Sequence, residues 1–271
     1  MKLKLIAAAV ALVASGSSFA AISGPDDGVA GFAAVATEMF LTVWQASGTG
    51  TGSVNRSFTY DTGVSVADMQ MNKGVNLFID QTISGSPEWA SFLAAGTSMA
   101  FQYNLAGGDR IDVTRNVLLQ TYAGPNDATL ATSIAPKTNL GLANALDAMQ
   151  QYVGANNATG THGTVANGSS FNTSGDEYFM TNNSNNWRNT TGLNSVAIGS
   201  KAMFGQMLQS DDFPGNSVKN TIYAGQMLLS KQGSDYRLQY LAVAVPEASG
   251  YAMALAGIGF VGFVARRRKS A

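Results

Sequence analysis

The sequence has no cysteine, a single histidine and few charged residues, which make up 12% of its 271 positions. Without thiols there are no disulfides to hold the fold and no cysteine nucleophiles. One imidazole excludes a zinc site built from several histidines and gives little support for Ser-His-Asp catalysis. A hydrophobic core must therefore stabilise the chain, and hydrophobic residues make up 45% of the sequence.

The residues that replace the missing charges are small or polar and uncharged. The sequence contains 30 glycines, and Ser, Thr, Asn and Ala are abundant. This balance suits many turns and strands with uncharged polar faces. The composition predicts a β-rich extracellular module.

The N-terminus has the three parts of a secretory signal peptide. Residues 1–4 are basic, an apolar run of ten follows from Leu5 to Ala14, and Ser18-Phe19-Ala20 provides a small-x-small cleavage site. The run is too short for a membrane anchor. We expect cleavage by signal peptidase after Ala20, which makes Ala21 the new terminus.

The pattern of the C-terminus predicts three parts: a short motif, a membrane-spanning segment and a basic stop. Val245-Pro246-Glu247 precedes residues 248–265, which carry no formal charge. As a helix these 18 residues span about 27 Å, close to the hydrocarbon thickness of about 30 Å. The basic tail 266–269, formed by Arg266, Arg267, Arg268 and Lys269, predicts a cytoplasmic C-terminus and an exported preceding domain.

This C-terminal layout resembles the PEP-CTERM sorting signal of Gram-negative bacteria. The resemblance covers Val245 to Lys269, with Ala248 in place of the second proline of the pattern. It implies export, transient anchoring in the inner membrane, processing near Pro246-Glu247 by a membrane transpeptidase of the exosortase type, and release to the cell surface or extracellular matrix. Proteins of this kind often accompany exopolysaccharide production. An ordinary single-pass anchor is the alternative.

Three segments follow: a signal peptide (1–20), an extracellular β-rich domain (21–245) and a sorting signal (246–271). Removing both targeting segments removes six cations and Glu247, which leaves 10 basic and 16 acidic residues and a net charge of −6. An acidic domain lacks the basic face that nucleic-acid binding requires. We therefore expect no nucleic-acid partner.

Within the domain, β-branched and aromatic residues predict a series of strands. Turn composition at 61–63 and 106–109 separates some of them. The predicted strands are 38–44, 54–60, 75–82, 98–105, 111–122, 195–209 and 218–245.

Two helices interrupt the strands. One begins with Ser86 as cap and Pro87 in the first position and ends before Gly96. The other spans 140–153, with Asn139 as cap and Gly154 as stop, and its apolar residues at 142, 146, 149 and 153 form one stripe for packing on a sheet. The pattern predicts a β-sandwich or jelly-roll-like domain with helices at one edge.

Paired carboxylates are the remaining candidates for chemistry, since His162 lies between Gly160 and Gly163 and is predicted to be a solvated loop residue. Each pair has turn composition, for which local hydrogen bonding is the common role. We predict no catalytic residues, no cofactor and no metal site, with calcium as the weaker alternative. The pairs are Asp26-Asp27, Asp109 with Asp112, Asp176-Glu177 and Asp211-Asp212.

The favoured function is that of a structural or adhesive surface or matrix protein whose polar face contacts exopolysaccharide. Trp89, Tyr178 and Trp187 are the predicted stacking aromatics. A secreted glycan-active hydrolase is an alternative and would need two carboxylates about 5 to 10 Å apart. A membrane-retained single-pass binding module is the other.

Overall fold

The structure is a computed structural model that describes residues 21–25, 37–45, 55–72, 79–95, 101–110, 116–123, 138–182, 187 and 194–242. Strands dominate this part of the chain, which confirms the predicted β-rich class. The strands are β1 (Glu38–Gln45), β2 (Arg56–Ser65), β3 (Asp80–Thr82), β4 (Gln102–Arg110), β5 (Asn116–Tyr122), β6 (Ser169–Asn172), β7 (Val196–Ala197), β8 (Lys201–Leu208), β9 (Lys219–Gln232) and β10 (Asp235–Leu241). The helices are α1 (Val66–Asn72), α2 (Pro87–Ala94), α3 (Asn139–Asn157) and α4 (Phe179–Asn182).

The described strands form one curled antiparallel sheet, not the two packed sheets of the predicted sandwich or jelly roll. Its order is β3-β10-β9-β8-β5-β4-β1-β2-β6, and β7 pairs with β4. The reason lies in the central strands. Every residue of β5 and all but the first of β1 are buried, so both faces of the sheet are covered.

Each face of the sheet packs into its own hydrophobic core. On one face, Trp89 and Phe92 of α2 pack with strand residues such as Leu41, Phe58 and Leu105. On the other face, α3 packs against strand residues that include Phe40, Trp44, Leu118 and Met203. The predicted apolar stripe of α3 is confirmed, because Leu142, Leu146, Met149 and Val153 are all buried in this second core.

The helix ends partly match the sequence pattern. Ser86 caps α2 by accepting the N–H of Trp89 at 3.1 Å, and Pro87 is its first residue, as predicted. Helix α3 is capped by Thr138 and not by Asn139, since the Thr138 hydroxyl accepts the N–H of Gly141 at 3.0 Å. The helix also continues through Gly154, which is exposed. A glycine within a helix costs about 1 kcal/mol of stability relative to alanine, and the helix tolerates this cost.

Two predicted turns are strand segments instead. The glycines at 107 and 108 lie inside β4, where they let neighbouring side chains approach the backbone. Residues 61–63 lie inside β2, where a register shift in its pairing with β1 marks a bulge and Gly63 has φ +61°. The predicted strand 218–245 is divided into β9 and β10 at a two-residue turn, Gly233-Ser234.

A close approach of α3 to the sheet depends on Gly108. A Cβ at this position would overlap the Leu146 side chain and press on the Val117 carbonyl and the Met149 sulfur. Gly108→Ala should therefore lower the free energy of unfolding by about 1–3 kcal/mol. Urea unfolding of residues 21–245 measures this change.

The matched control is Gly154→Ala on the exposed side of the same helix, where an added Cβ meets nothing within 4 Å. Removal of a helical glycine should raise the free energy of unfolding by about 0.5–1 kcal/mol. Equal effects of the two substitutions would contradict the packing role of Gly108.

Candidate functional site

The C-terminal junction of the domain is set by β10, an interior strand of the sheet. It pairs with β9 from Asp235 to Leu241 and with β3 from Arg237 to Gln239. Its inward side chains, Leu238 and Tyr240, are buried in the core shared with α2. The Tyr240 hydroxyl also accepts the N–H of Gly225 at 3.1 Å. The chain is therefore fixed up to Leu241.

The predicted processing residues follow this fixed end but lie outside the described residues. They are Val245, Pro246, Glu247, Arg266, Arg267 and Arg268, and the predicted membrane segment 248–265 lies outside as well. Among the helices that the structure describes, none has the length and apolar character to cross a membrane. Five residue steps separate Leu241 from Pro246, so covalent geometry keeps their Cα atoms within about 18 Å.

The N-terminal junction begins beside the predicted signal-peptidase site. Ala20 lies outside the described residues, whereas Ala21 is described and half-buried. Ile22 is 2% exposed, and its backbone exchanges two hydrogen bonds of 2.9 Å with the Asn157 side chain at the end of α3. The Ser23 N–H donates to the Glu38 carboxylate at 3.0 Å. The chain is thus tied to the sheet and to α3 from its second predicted mature residue.

The three aromatic residues predicted to stack on glycans are inside the protein. Trp89 is 2% exposed, Tyr178 5% and Trp187 0%. Trp89 packs edge-on against Phe58, and Trp187 packs edge-on against Phe179. The Tyr178 hydroxyl donates to the Gln45 carbonyl at 3.1 Å. Stacking on a sugar needs a ring face open to solvent, so the prediction of these residues as ligand contacts is corrected.

His162 is also buried, which makes its prediction as a solvated loop residue wrong. The loop 158–168 folds over β2, where the Asp61 N–H donates to the Gly168 carbonyl at 2.9 Å, and Gly168 in turn packs against the His162 backbone. Neither ring nitrogen makes a well-aligned hydrogen bond to the described residues. Burial lowers the pKa of His162 to about 4, and the nearby Thr59 backbone offsets only part of this effect.

A buried carboxylate beneath the same loop was not identified from the sequence. Asp61 is 1% exposed at the β2 bulge, where its side chain accepts the Gly63 N–H at 2.8 Å. Burial, together with the nearby Glu38 carboxylate, raises the pKa of Asp61 to about 7. Burial raises the pKa of Glu38 as well, against the opposing hydrogen bond from Ser23. The β1–β2 register pairs Asp61 with Phe40, two residues from Glu38 in β1, so the two acids become neighbours only through the strand pairing.

One of the predicted carboxylate pairs has a member with a local hydrogen-bonding role. Asp211 accepts the Phe213 N–H at 2.9 Å and the Asn216 amide at 2.7 Å, as turn chemistry predicts. Asp176 is exposed and its neighbour Glu177 half-buried. In the described ranges, no three His, Asp or Glu side chains form a group suited to a metal ion. Asp26, Asp27 and Asp112 lie outside those ranges.

Two further polar groups are buried without a sequence signal. Arg56 is fully buried, where it donates to the Gln45 side chain at 2.7 Å and lies 4.8 Å from the Phe101 ring centre. The Tyr152 hydroxyl of α3 meets the Thr42 and Thr59 hydroxyls of neighbouring strands. These contacts satisfy polar groups within the core and connect α2 and α3 to the sheet.

The raised pKa of Asp61 predicts a stability that falls as the pH rises. The folded state holds the proton more tightly than the unfolded state, so the contribution is present below pH 4 and is lost as the pH rises to about 7. The loss reaches about 4 kcal/mol at most. Asp61→Asn should reduce this slope, while Glu38, whose pKa is also raised, keeps its own part, and urea unfolding between pH 4 and 7.5 measures the change. An unchanged slope would contradict the assignment.

His162 should act in the opposite direction over an overlapping range. Its lowered pKa means that the unfolded state takes up the proton first, so stability is full above pH 6.5 and is lost as the pH falls towards 4. The loss is about 3 kcal/mol at most. His162→Asn should make the protein gain more stability on acidification than the unchanged protein does. A smaller gain in the same unfolding series would refute the buried neutral state.

Comparison with known proteins finds a similarity at the C-terminal junction. Residues 244–269 match the family model of the PEP-CTERM protein-sorting motif. No curated protein and no solved structure matches the chain significantly. The match begins three residues after Leu241, where the sheet ends, and it implies export and processing by exosortase. The chain therefore carries a PEP-CTERM protein-sorting motif, the signal that exosortases process, at residues 244–269.

Proposed function

We propose that the domain 21–245 is delivered to the cell surface or extracellular matrix in three steps. Signal peptidase cuts after Ala20, the segment 248–265 holds the exported chain in the inner membrane, and an exosortase cuts near Pro246-Glu247. The observation that carries this proposal is the sorting motif at residues 244–269.

The positions of the two junctions support this order of events. Ile22, the second residue after the first cut, is buried, and β10 ends at Leu241, five residues before Pro246. Both cuts therefore leave the described contacts of Ile22 and of β10 in place. A cleaving enzyme can reach backbone beyond a strand end without breaking the strand's hydrogen bonds.

Intact-mass measurement of the protein from its native host tests the proposal. The released form should lack residues 1–20 and the residues after Pro246-Glu247. Replacing Arg266, Arg267 and Arg268 by Gln should leave the tail attached and the protein in the membrane fraction, because the basic stop is lost from the motif.

The control is Lys201→Gln, which removes an exposed cation of the domain and should leave processing unchanged. A released protein of full C-terminal mass would contradict the proposal. A tail that stays intact in the unchanged protein would favour the alternative of a membrane-retained binding module.

We further propose a non-enzymatic, adhesive role in which the domain contacts exopolysaccharide. A partly exposed strip on β9 and β10 supports it: the polar residues Gln226, Ser230, Arg237 and Gln239 share one face of these strands with Leu228 and Leu241. The Gln232 amide donates to the Gln239 side chain at 2.9 Å, which aligns the amides across the strands. Amides arranged in this way can hydrogen-bond to sugar hydroxyls.

Cosedimentation with the polysaccharide of the native host tests the strip. Gln226→Ala with Gln239→Ala should weaken binding several-fold, because both amides lose their hydrogen-bonding groups. Gln151→Ala, on the exposed face of α3, is the control. Equal binding by both variants would contradict the role of the strip, and release of reducing sugar by the unchanged protein would favour the hydrolase alternative.

A further inference from the structure

Two large apolar side chains are exposed next to each other at one end of the sheet. Phe213 is 65% exposed in the loop between β8 and β9, and Leu140 is 57% exposed in the first turn of α3. The two segments are joined, since the Leu140 N–H donates to the Pro214 carbonyl at 3.1 Å. We call Phe213 and Leu140 together the apolar tip.

The loop that carries Phe213 is fixed by hydrogen bonds on both sides of that residue. The Asn139 amide donates to the carbonyls of Asp211 and Phe213, each at 2.9 Å. The Phe213 N–H donates to the Asp211 carboxylate, and its carbonyl also accepts the Asn216 N–H at 3.1 Å. The loop is therefore held in a conformation that leaves the ring outside the core.

The apolar tip lies in the direction in which β10 leads the chain out of the sheet. The last described pair between β10 and β9 is Leu241 with Gln226. Because these strands are antiparallel, the chain leaving Leu241 heads towards the end of the sheet where β9 begins, at Lys219. The loop with Phe213 lies just before Lys219, so it points the same way as the outgoing chain.

The lengths of the two segments also match. Strand β9 extends from Gln226 to Lys219 over seven residue steps, which is about 23 Å before a small shortening by its bulge. The chain from Leu241 to the predicted start of the membrane segment at Ala248 is also seven steps, at most about 25 Å. When the segment is in the membrane, a tether that continues in the direction of β10 therefore brings the apolar tip to the bilayer surface.

We propose that Phe213 and Leu140 contact the lipid headgroup–acyl boundary of the membrane in which the chain's own C-terminal segment is anchored. This inference rests on the proposed anchoring before processing. Apolar contact fits better than electrostatic attraction, because the domain carries a net charge of −6 and Asp212 lies beside Phe213. Phenylalanine and leucine are residues that insert at this boundary. The contact would hold the domain on the membrane with a defined end facing the processing enzyme.

The absence of cysteine permits a site-specific test with single labels. Asp212→Cys and Ser234→Cys are exposed positions, one beside the apolar tip and the other in the turn at the far end of β10. Each is labelled with an environment-sensitive fluorophore in the full chain with its tail intact, reconstituted in phosphatidylcholine vesicles. Nitroxide-bearing lipids should quench the label at 212 several-fold more than the label at 234.

A second variant separates apolar contact from simple proximity. Phe213→Ser with Leu140→Ser, made in the Asp212→Cys chain, should reduce the quenching to the level seen at 234, and both positions are exposed enough for the fold to be retained. Equal quenching at 212 and 234, or quenching unchanged by the two serines, would overturn the inference. Neither result would touch the sorting proposal, which fails only if the released protein keeps its tail.

Discussion

Burial of both faces of the central strands is the constraint on which the rest of the structure depends. An antiparallel sheet with one wet face alternates apolar and polar residues, but β5 is buried at every position. Each face then needs its own cover, which α2 provides on one side and α3 on the other. The tight approach at Gly108 and the buried polar contacts of Arg56 and Tyr152 follow from closing both faces at once.

Local patterns predicted the elements better than their arrangement. The stripe of α3 and the cap at Ser86 depend on neighbours three and four residues apart, and both are confirmed. The glycines at 107 and 108 have turn composition when taken alone, yet they lie within β4. A Cβ at these positions would overlap the Met39 and Leu146 side chains. A single curled sheet instead of a sandwich is decided by strand pairing over long sequence distances, which composition does not encode.

The site residues that depend on neighbouring sequence were predicted, whereas those that depend on contacts between distant parts of the chain were not. The sorting motif is a contiguous stretch whose parts act in sequence order, so it was predicted from the chain and matched by comparison. The burial of Trp89, Trp187 and His162 depends on what packs over them, and the glycines that flank His162 in the sequence led to its prediction as a solvated residue. Asp61 had no signal, because its environment is created by a bulge and by Glu38 on the neighbouring strand.

The placement of β10 lets the folded sheet persist when the sorting signal is removed. A terminal strand at the edge of a sheet could be pulled away with the tail, whereas β10 has partners on both sides and side chains in a core. Its described pairings end at Leu241, so a cut after Glu247 removes none of them. The same sheet can therefore exist before and after processing, and the membrane segment can act as a temporary anchor whose loss leaves the folded domain intact.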